Sequence, residues 1–205
     1  MAQFATASDL ATRLGVTFTT AESTRADALL TDASGIIQDE VGQTIELVTD
    51  DVLVRPGTYD NRIRLPQRPV VSVASIAGAL MDQTPVDLGT DSWYLDGDEI
   101  VRAAFPLGIE RHFFSVGNGW LGDTFTLTIT YTHGYSTIPT IVKTVCTEMV
   151  ARVWLNPNPA IQAETYGSEQ ITYYDNAVSG LLLTDTERNA LFRKLRRTSG
   201  SIPLR

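Results

Sequence analysis

Two histidines, one cysteine and a few acidic or glycine-rich phrases are the residues of this chain whose types and spacing could do chemistry. His112 and His133 have no HExxH helix around them, and neither stands with cysteine at zinc-ligand spacing. His133 falls in a strand-to-helix corner where its ring can bond backbone groups, and His112 lies beside Phe113 and Phe114. Both read as structural. In GNGWLG, Gly117, Gly119 and Gly122 match the spacing of a dinucleotide fingerprint. A working fingerprint follows a strand and opens a helix, so that the pyrophosphate meets free N–H groups. Here the glycines precede a strand, and Trp120 crowds the loop. Asp96-Gly97-Asp98-Glu99 gathers carboxylates without the spaced oxygens and distal glutamate of a calcium loop, and a tight hairpin turn accounts for it. The serines lack a nucleophile elbow. Cys146 lies on an apolar helical face and reads as a small buried hydrophobe. No catalytic residue, metal or cofactor is expected.

The carboxy-terminal segment differs. Residues 193–205 (RKLRRTSGSIPLR) hold five of the sixteen basic residues and none of the acids. The rest of the chain sets eleven basic residues against twenty-four acidic ones, a net charge of −13. An acidic body argues against wrapping nucleic acid, because phosphate neutralisation supplies most non-specific affinity. The basic tail, interleaved with Leu195, Ile202, Pro203 and Leu204, suits docking on an acidic surface.

At 205 residues the chain fits one domain, and 43% hydrophobic with 20% charged residues is the composition of a globular protein. A lone cysteine excludes an internal disulfide. No apolar run approaches the roughly 20 residues that span a membrane, so no membrane partner is expected. The start, MAQFATASDL, lacks the basic and apolar regions of a secretion signal, and a cytosolic product is expected.

The elements that must position these residues are well marked at both ends. A short helix is predicted over 8–14, capped by Ser8 or Thr6 and stopped by Gly15. Thr19 and Glu22 form a capping box for a second helix, whose stripe is Ala26, Leu29, Leu30, Ala33, Ile36, Ile37 and Val41, with Gly42 as its stop. The texture then becomes β, with strands predicted over 45–54, 62–65, 70–76, 93–95, 100–103 and 124–132. Pro66 and Pro69 each remove a ladder donor and confine their segment to an edge or a strand-to-strand corner. Residues 105–122 are aromatic and glycine-rich, with no clear period.

From Thr124 to Thr132 every even position is threonine, while Phe125, Leu127, Ile129 and Tyr131 alternate with them. That is a half-buried strand. After Gly134 the spacing turns helical, with Val142, Val145, Cys146, Met149, Val153 and Trp154 on one face and Pro139 suited to the first turn. NPNPA breaks this helix, residues 161–183 read as extended with ITYY as a short strand, and Thr184 with Glu187 opens a last helix to about Leu195. The expected class is α+β. A helical framework (8–43 and 139–193) carries a β-rich insertion (44–135) and an extended arm (194–205), all in one domain.

Certain phrases, in this order, resemble the head–tail connector family (adaptor or head-completion proteins) of bacteriophages with long non-contractile tails. They are ASDLATRLGVTFTTAESTRADALLTDASGIIQDEVG, RIRLPQRPVVSV, TITYTHGYSTIPTIVKTVCTEMVAR and ETYGSEQITYYDNAVSGLLLTDTERNALFRKLRR, and they cover nearly the whole chain. Compact connectors of this type are mostly helical, so the β-rich middle is a departure. The resemblance implies a structural virion protein, present in the host cytoplasm during assembly and then in the neck. It would form a dodecameric ring below the portal and extend the DNA channel towards the tail.

The partners implied are the portal protein, neighbouring copies, a stopper or tail-side neck protein, and double-stranded DNA that passes without specific binding. Arg193, Lys194, Arg196, Arg197 and Arg205 would pair with acidic groups of the portal, while Ile202, Pro203 and Leu204 fill a groove. His133, Gly134 and Pro139 would be corner chemistry. Another neck protein (a stopper or a tail-end ring) is an alternative, as is a small assembly hydrolase. The flanking helical pairs speak against the first, and the scarcity of acid–base or metal-ligand sets speaks against the second.

Overall fold

The computed structural model describes residues 3–80, 84–103, 120, 125–155, 163–166, 169–172 and 180–195. Two compact units emerge, one from residues 1–42 with 138–205 and the other from residues 43–137. The class is α+β.

In the first unit, α1 (Ala7–Leu14) starts where the Thr6 hydroxyl accepts from the Asp9 N–H and the Asp9 carboxylate accepts from the Thr6 N–H. Of the two cap candidates, Thr6 is used, so the helix begins one residue before the predicted start. Helix α2 (Thr20–Val41) has the same reciprocal cap from Thr19 and Glu22, and Gly42 closes it in the left-handed region at φ 67°. Ala26, Leu30, Ala33, Ile37 and Val41 are its buried stripe, joined by Ser34, whose hydroxyl donates to the Leu30 carbonyl and accepts from the Phe4 N–H. Helix α3 (Thr140–Leu155) buries Val142, Val145, Cys146, Met149 and Val150. Val153 and Trp154 remain half-exposed. Trp154 stacks obliquely on Phe18 at 4.7 Å, with the Arg25 guanidinium over its ring. Lys143 pairs with Asp9 at 2.7 Å, and Arg13 pairs with Glu148, tying α1 to α3. Helix α4 (Asp185–Leu195) completes the set.

The second unit contains β1 (Val48–Pro56), β2 (Arg62–Arg64), β3 (Val70–Leu80), β4 (Val86–Asp87), β5 (Trp93–Asp96), β6 (Glu99–Arg102) and β7 (Phe125–His133). Four strands pair antiparallel in the order β1-β7-β3-β4, and three in the order β2-β6-β5. The threonine-alternating strand β7 is central. Its Leu127, Ile129 and Tyr131 are fully buried, while its threonines face the other way. Ile76 and Leu127 from one sheet share a core with Ile63, Ile100 and Leu95 from the other, and Trp120 is sealed among them. The two prolines lie in the connection from β2 to β3, where the chain passes from one sheet to the other. Gly97 and Asp98 make the turn of the β5–β6 hairpin, one place later than the expected Asp96-Gly97, since Asp96 still pairs with Glu99; Gly97 stands at φ 64°.

Most strand limits shift by one or two residues, and the strands depart further from expectation at β1, β3 and β4. Regular pairing in β1 begins at Val48, because Glu46 makes an isolated parallel bridge to Tyr135 and a bulge, with Asp50 at φ 54°, interrupts the ladder. Strand β3 runs on to Leu80 through Ala77 and Gly78, which have small side chains and weak strand propensity. Strand β4 has two residues, too few to show a period. Towards the end of the chain, β8 (Ala163–Tyr166) and β9 (Glu169–Thr172) form a hairpin. Only Ile171 and Thr172 of the ITYY phrase fall among the described residues.

Candidate functional site

Helix α4 is built to hold the start of the basic segment in a fixed place on the helical unit. Its Thr184 hydroxyl accepts from the Glu187 N–H at 3.3 Å, and the Glu187 carboxylate accepts from the Thr184 N–H at 2.9 Å. The same carboxylate, 7% exposed as a residue, receives two bonds from the Arg152 guanidinium on α3, at 2.6 and 3.1 Å. Arg152 also donates to the Leu182 carbonyl. Burial alone would raise the Glu187 pKa, but the bonds from Arg152 and Thr184 outweigh it and hold the carboxyl below the ordinary range. Arg188 reaches Glu40 on α2 at 2.7 Å and Asp185 at 2.8 Å. Leu191 and Leu195 bury the apolar side of the helix.

Arg193 and Lys194 are exposed in the last turn, where cations also complement the helix dipole. Two of the predicted docking residues are thereby placed on a rigid helix. Arg196, Arg197, Ile202, Pro203, Leu204 and Arg205 lie outside the described residues.

The corner residues divide between the two units. Gly134 stands at φ 93°, and a Cβ there would lie 2.0 Å from the Glu46 carbonyl oxygen. Its N–H donates to the Pro69 carbonyl, and the Tyr135 N–H donates to the Ile45 carbonyl. The residue is thus required twice, for its backbone angle and for the close approach of the Glu46 backbone. His133 is 1% exposed; its Nε2 lies 3.1 Å from the Asp51 carboxylate, while its Nδ1 has no hydrogen-bond partner. Tyr131 is 5.1 Å away ring to ring, and burial together with the Asp51 charge pushes its hydroxyl up to about 12. This group joins β1 to β7.

Pro139 belongs to the helical unit. It immediately precedes α3, and its carbonyl accepts from the Val142 and Lys143 N–H groups. It is therefore the residue before the first turn and not a member of it.

The acidic hairpin is engaged by cations of the protein itself. Arg62 bonds both Asp96 and Glu99, Arg64 bonds Glu99, and Asp98 accepts from the Val70 N–H. Cys146 is buried against Ser34 and the Leu30 carbonyl, and burial raises its thiol pKa. Among the described residues no group of three or more His, Cys, Asp or Glu side chains could hold a metal ion, and no helix is long and apolar enough to cross a membrane.

No protein-family model matches the sequence, and no curated protein matches it. Solved structures do. A chain of the virion of a native gene transfer agent particle superposes with a TM-score of 0.55 at 15% identity, over 95% of this chain and 91% of that one. A chain from the neck of an empty gene transfer agent particle, computed with C6 symmetry, gives 0.53 at 14% identity, over 96% and 92%. The fold is that of a gene transfer agent neck chain.

At such coverage the shared fold takes in the helical framework and the β-rich unit together. The residues that spacing could not reveal are the distant partners. Asp51 for His133, Arg152 for Glu187 and Glu40 for Arg188 stand 82, 35 and 148 positions away. Glu187 itself was visible as the third residue of a capping box; its second role was not.

Proposed function

We propose that this protein is a structural subunit of the neck of a phage-like particle, without catalytic function. In this reading it is one copy of a dodecameric ring below the portal that carries the DNA channel from head to tail. The observation that carries the reading is the shared fold with a neck chain over 96% of the length. The six-fold symmetry of that neck is compatible with a ring of twelve. The charge distribution supports it as well. A body of net charge −13 repels DNA phosphate, so DNA slides past without adhering. The basic segment that begins on α4 is the part suited to an acidic groove on the portal.

In detail, Arg193 and Lys194 sit at a position fixed by the Arg152–Glu187 and Arg188–Glu40 pairs, and Arg196, Arg197 and Arg205 extend the charge. Ile202, Pro203 and Leu204 supply apolar anchors. The other partners are neighbouring copies and a stopper or tail-side neck protein. Deleting residues 196–205, which spares the buried Leu195, should leave the helical content and melting temperature of the protein nearly unchanged while abolishing its co-sedimentation with portal-bearing heads. Normal attachment of the truncated protein would overturn the assignment of the arm. Absence of the full chain from purified particles would overturn the neck reading itself.

A further inference from the structure

The outer face of the four-stranded sheet is built the wrong way round for a surface that stays in water. Cross-strand rows on this face read Val52–Thr130–Ser75 and Val54–Thr128–Ala77. Val52 is 55% exposed and Val54 60%. Of the charged residues of β1, Asp51 and Arg55 alternate onto the opposite side with Leu53, where Asp51 meets the buried His133, and Asp50 stands exposed in the bulge before these rows. A solvated antiparallel sheet normally turns its polar and charged residues outward and its apolar ones to the core. Beyond the bulge, the edge strand turns Val52 and Val54 out and Asp51 and Arg55 in. Among the described residues of these rows, the first charge met is Asp87, at the far end on β4.

We infer that this face is the contact with a neighbouring copy of the same chain, an inference that rests on the neck reading above. The reason for choosing a second copy is charge. Each molecule carries −8, so two copies repel wherever their charged surfaces meet. An uncharged threonine, alanine and valine face lets like-charged subunits touch without burying opposed carboxylates. A ring also requires each subunit to offer one face to a different face of the next, so only one side of the contact needs this sheet. With strands about 4.8 Å apart and about 3.4 Å per residue, the two rows and their margins make roughly 200 Å² of flat surface. A standard interface takes about 800 Å² per partner, so this face is the apolar centre of the contact and its surroundings form the rim.

The single native cysteine is buried, which makes an introduced surface cysteine a clean reporter. Thr128→Cys, or Val54→Cys should the first fold poorly, is treated with N-ethylmaleimide as the free subunit and in necks of assembled particles. Alkylation should slow at least ten-fold on assembly, and a benzophenone maleimide at the same cysteine should crosslink to a product of twice the subunit mass. Equal reactivity in both states would overturn the inference, as would a crosslink only to a different neck protein, and either result would leave the neck reading standing. Particles that assemble without the protein would remove the neck reading and this inference with it.

Discussion

The two units hold themselves together by different means. In the helical unit each of three helices carries its own start signal, Thr6 with Asp9, Thr19 with Glu22 and Thr184 with Glu187, and ion pairs such as Lys143–Asp9 and Arg152–Glu187 tie one helix to another. In the β unit the decisive contacts are far apart in sequence and made by backbone. Strand β7 joins partners that precede it by 45 residues or more, and Gly134 closes against Glu46 where a single methyl group would not fit. Local signals with redundant side-chain ties should fail gradually. A backbone closure with no slack should fail at once.

The largest effect is therefore expected at Gly134. Gly134→Val adds a β-branched side chain at φ 93° and sets its Cβ 2.0 Å from the Glu46 carbonyl oxygen. Backbone strain of about 1–3 kcal/mol adds to an overpacking cost of similar size. Hydrogen exchange should show loss of amide protection across β1, β3 and β7, with α2 retaining its own. Equal loss in both units would mean that the corner supports the whole molecule and that the contrast is false. Retained protection in both would mean that the strand end can move away from Glu46.

Next comes the junction of α3 and α4. Glu187→Gln keeps the shape but takes the charge from two bonds to Arg152 and weakens the cap of α4. A loss of about 1–3 kcal/mol is expected by chemical denaturation. The sign of its pH dependence follows from the lowered pKa. Relative to the unfolded chain, whose carboxyl titrates near the ordinary 4.5, folded Glu187 gives up its proton more readily. Its stabilisation is complete above that value and fades as the pH falls through the lowered one. The gap in stability between wild type and Glu187→Gln should be full at neutral pH and close at more acid pH. A gap that persists in strong acid would assign the loss to shape instead of charge.

The contrast also explains which parts of the molecule could be read from its sequence. Thr19, Glu22 and Gly42 announced α2 at both ends because capping is a short-range exchange of hydrogen bonds. The alternation in β7 announced which side of that strand is buried, because period two reports burial directly. The start of β1 was not legible. The bulge at Asp50 and the bridge from Glu46 to Tyr135 depend on a strand more than eighty residues later. His133 and Gly134 were recognisable as corner residues, but the sequence carried no sign that Asp51 and the Glu46 backbone meet them. Of the basic segment, Arg193 and Lys194 could be placed because they ride on a capped helix.

The smallest expected effect gives the most direct measure of local redundancy. Thr19→Ala removes the hydroxyl that caps α2 and leaves Glu22 without one of its two partners at the helix start. Such a cap contributes about 1 kcal/mol. Helix α2 spans 22 residues and buries six of them, so tertiary packing should hold the rest of the element in place. The expected result is a drop in melting temperature of about 2–4 °C, with faster amide exchange confined to the first turn. Fraying that spreads to Ala26 and Leu30 would show that the cap nucleates the helix, and the helical unit would then depend on one local closure as much as the β unit depends on Gly134.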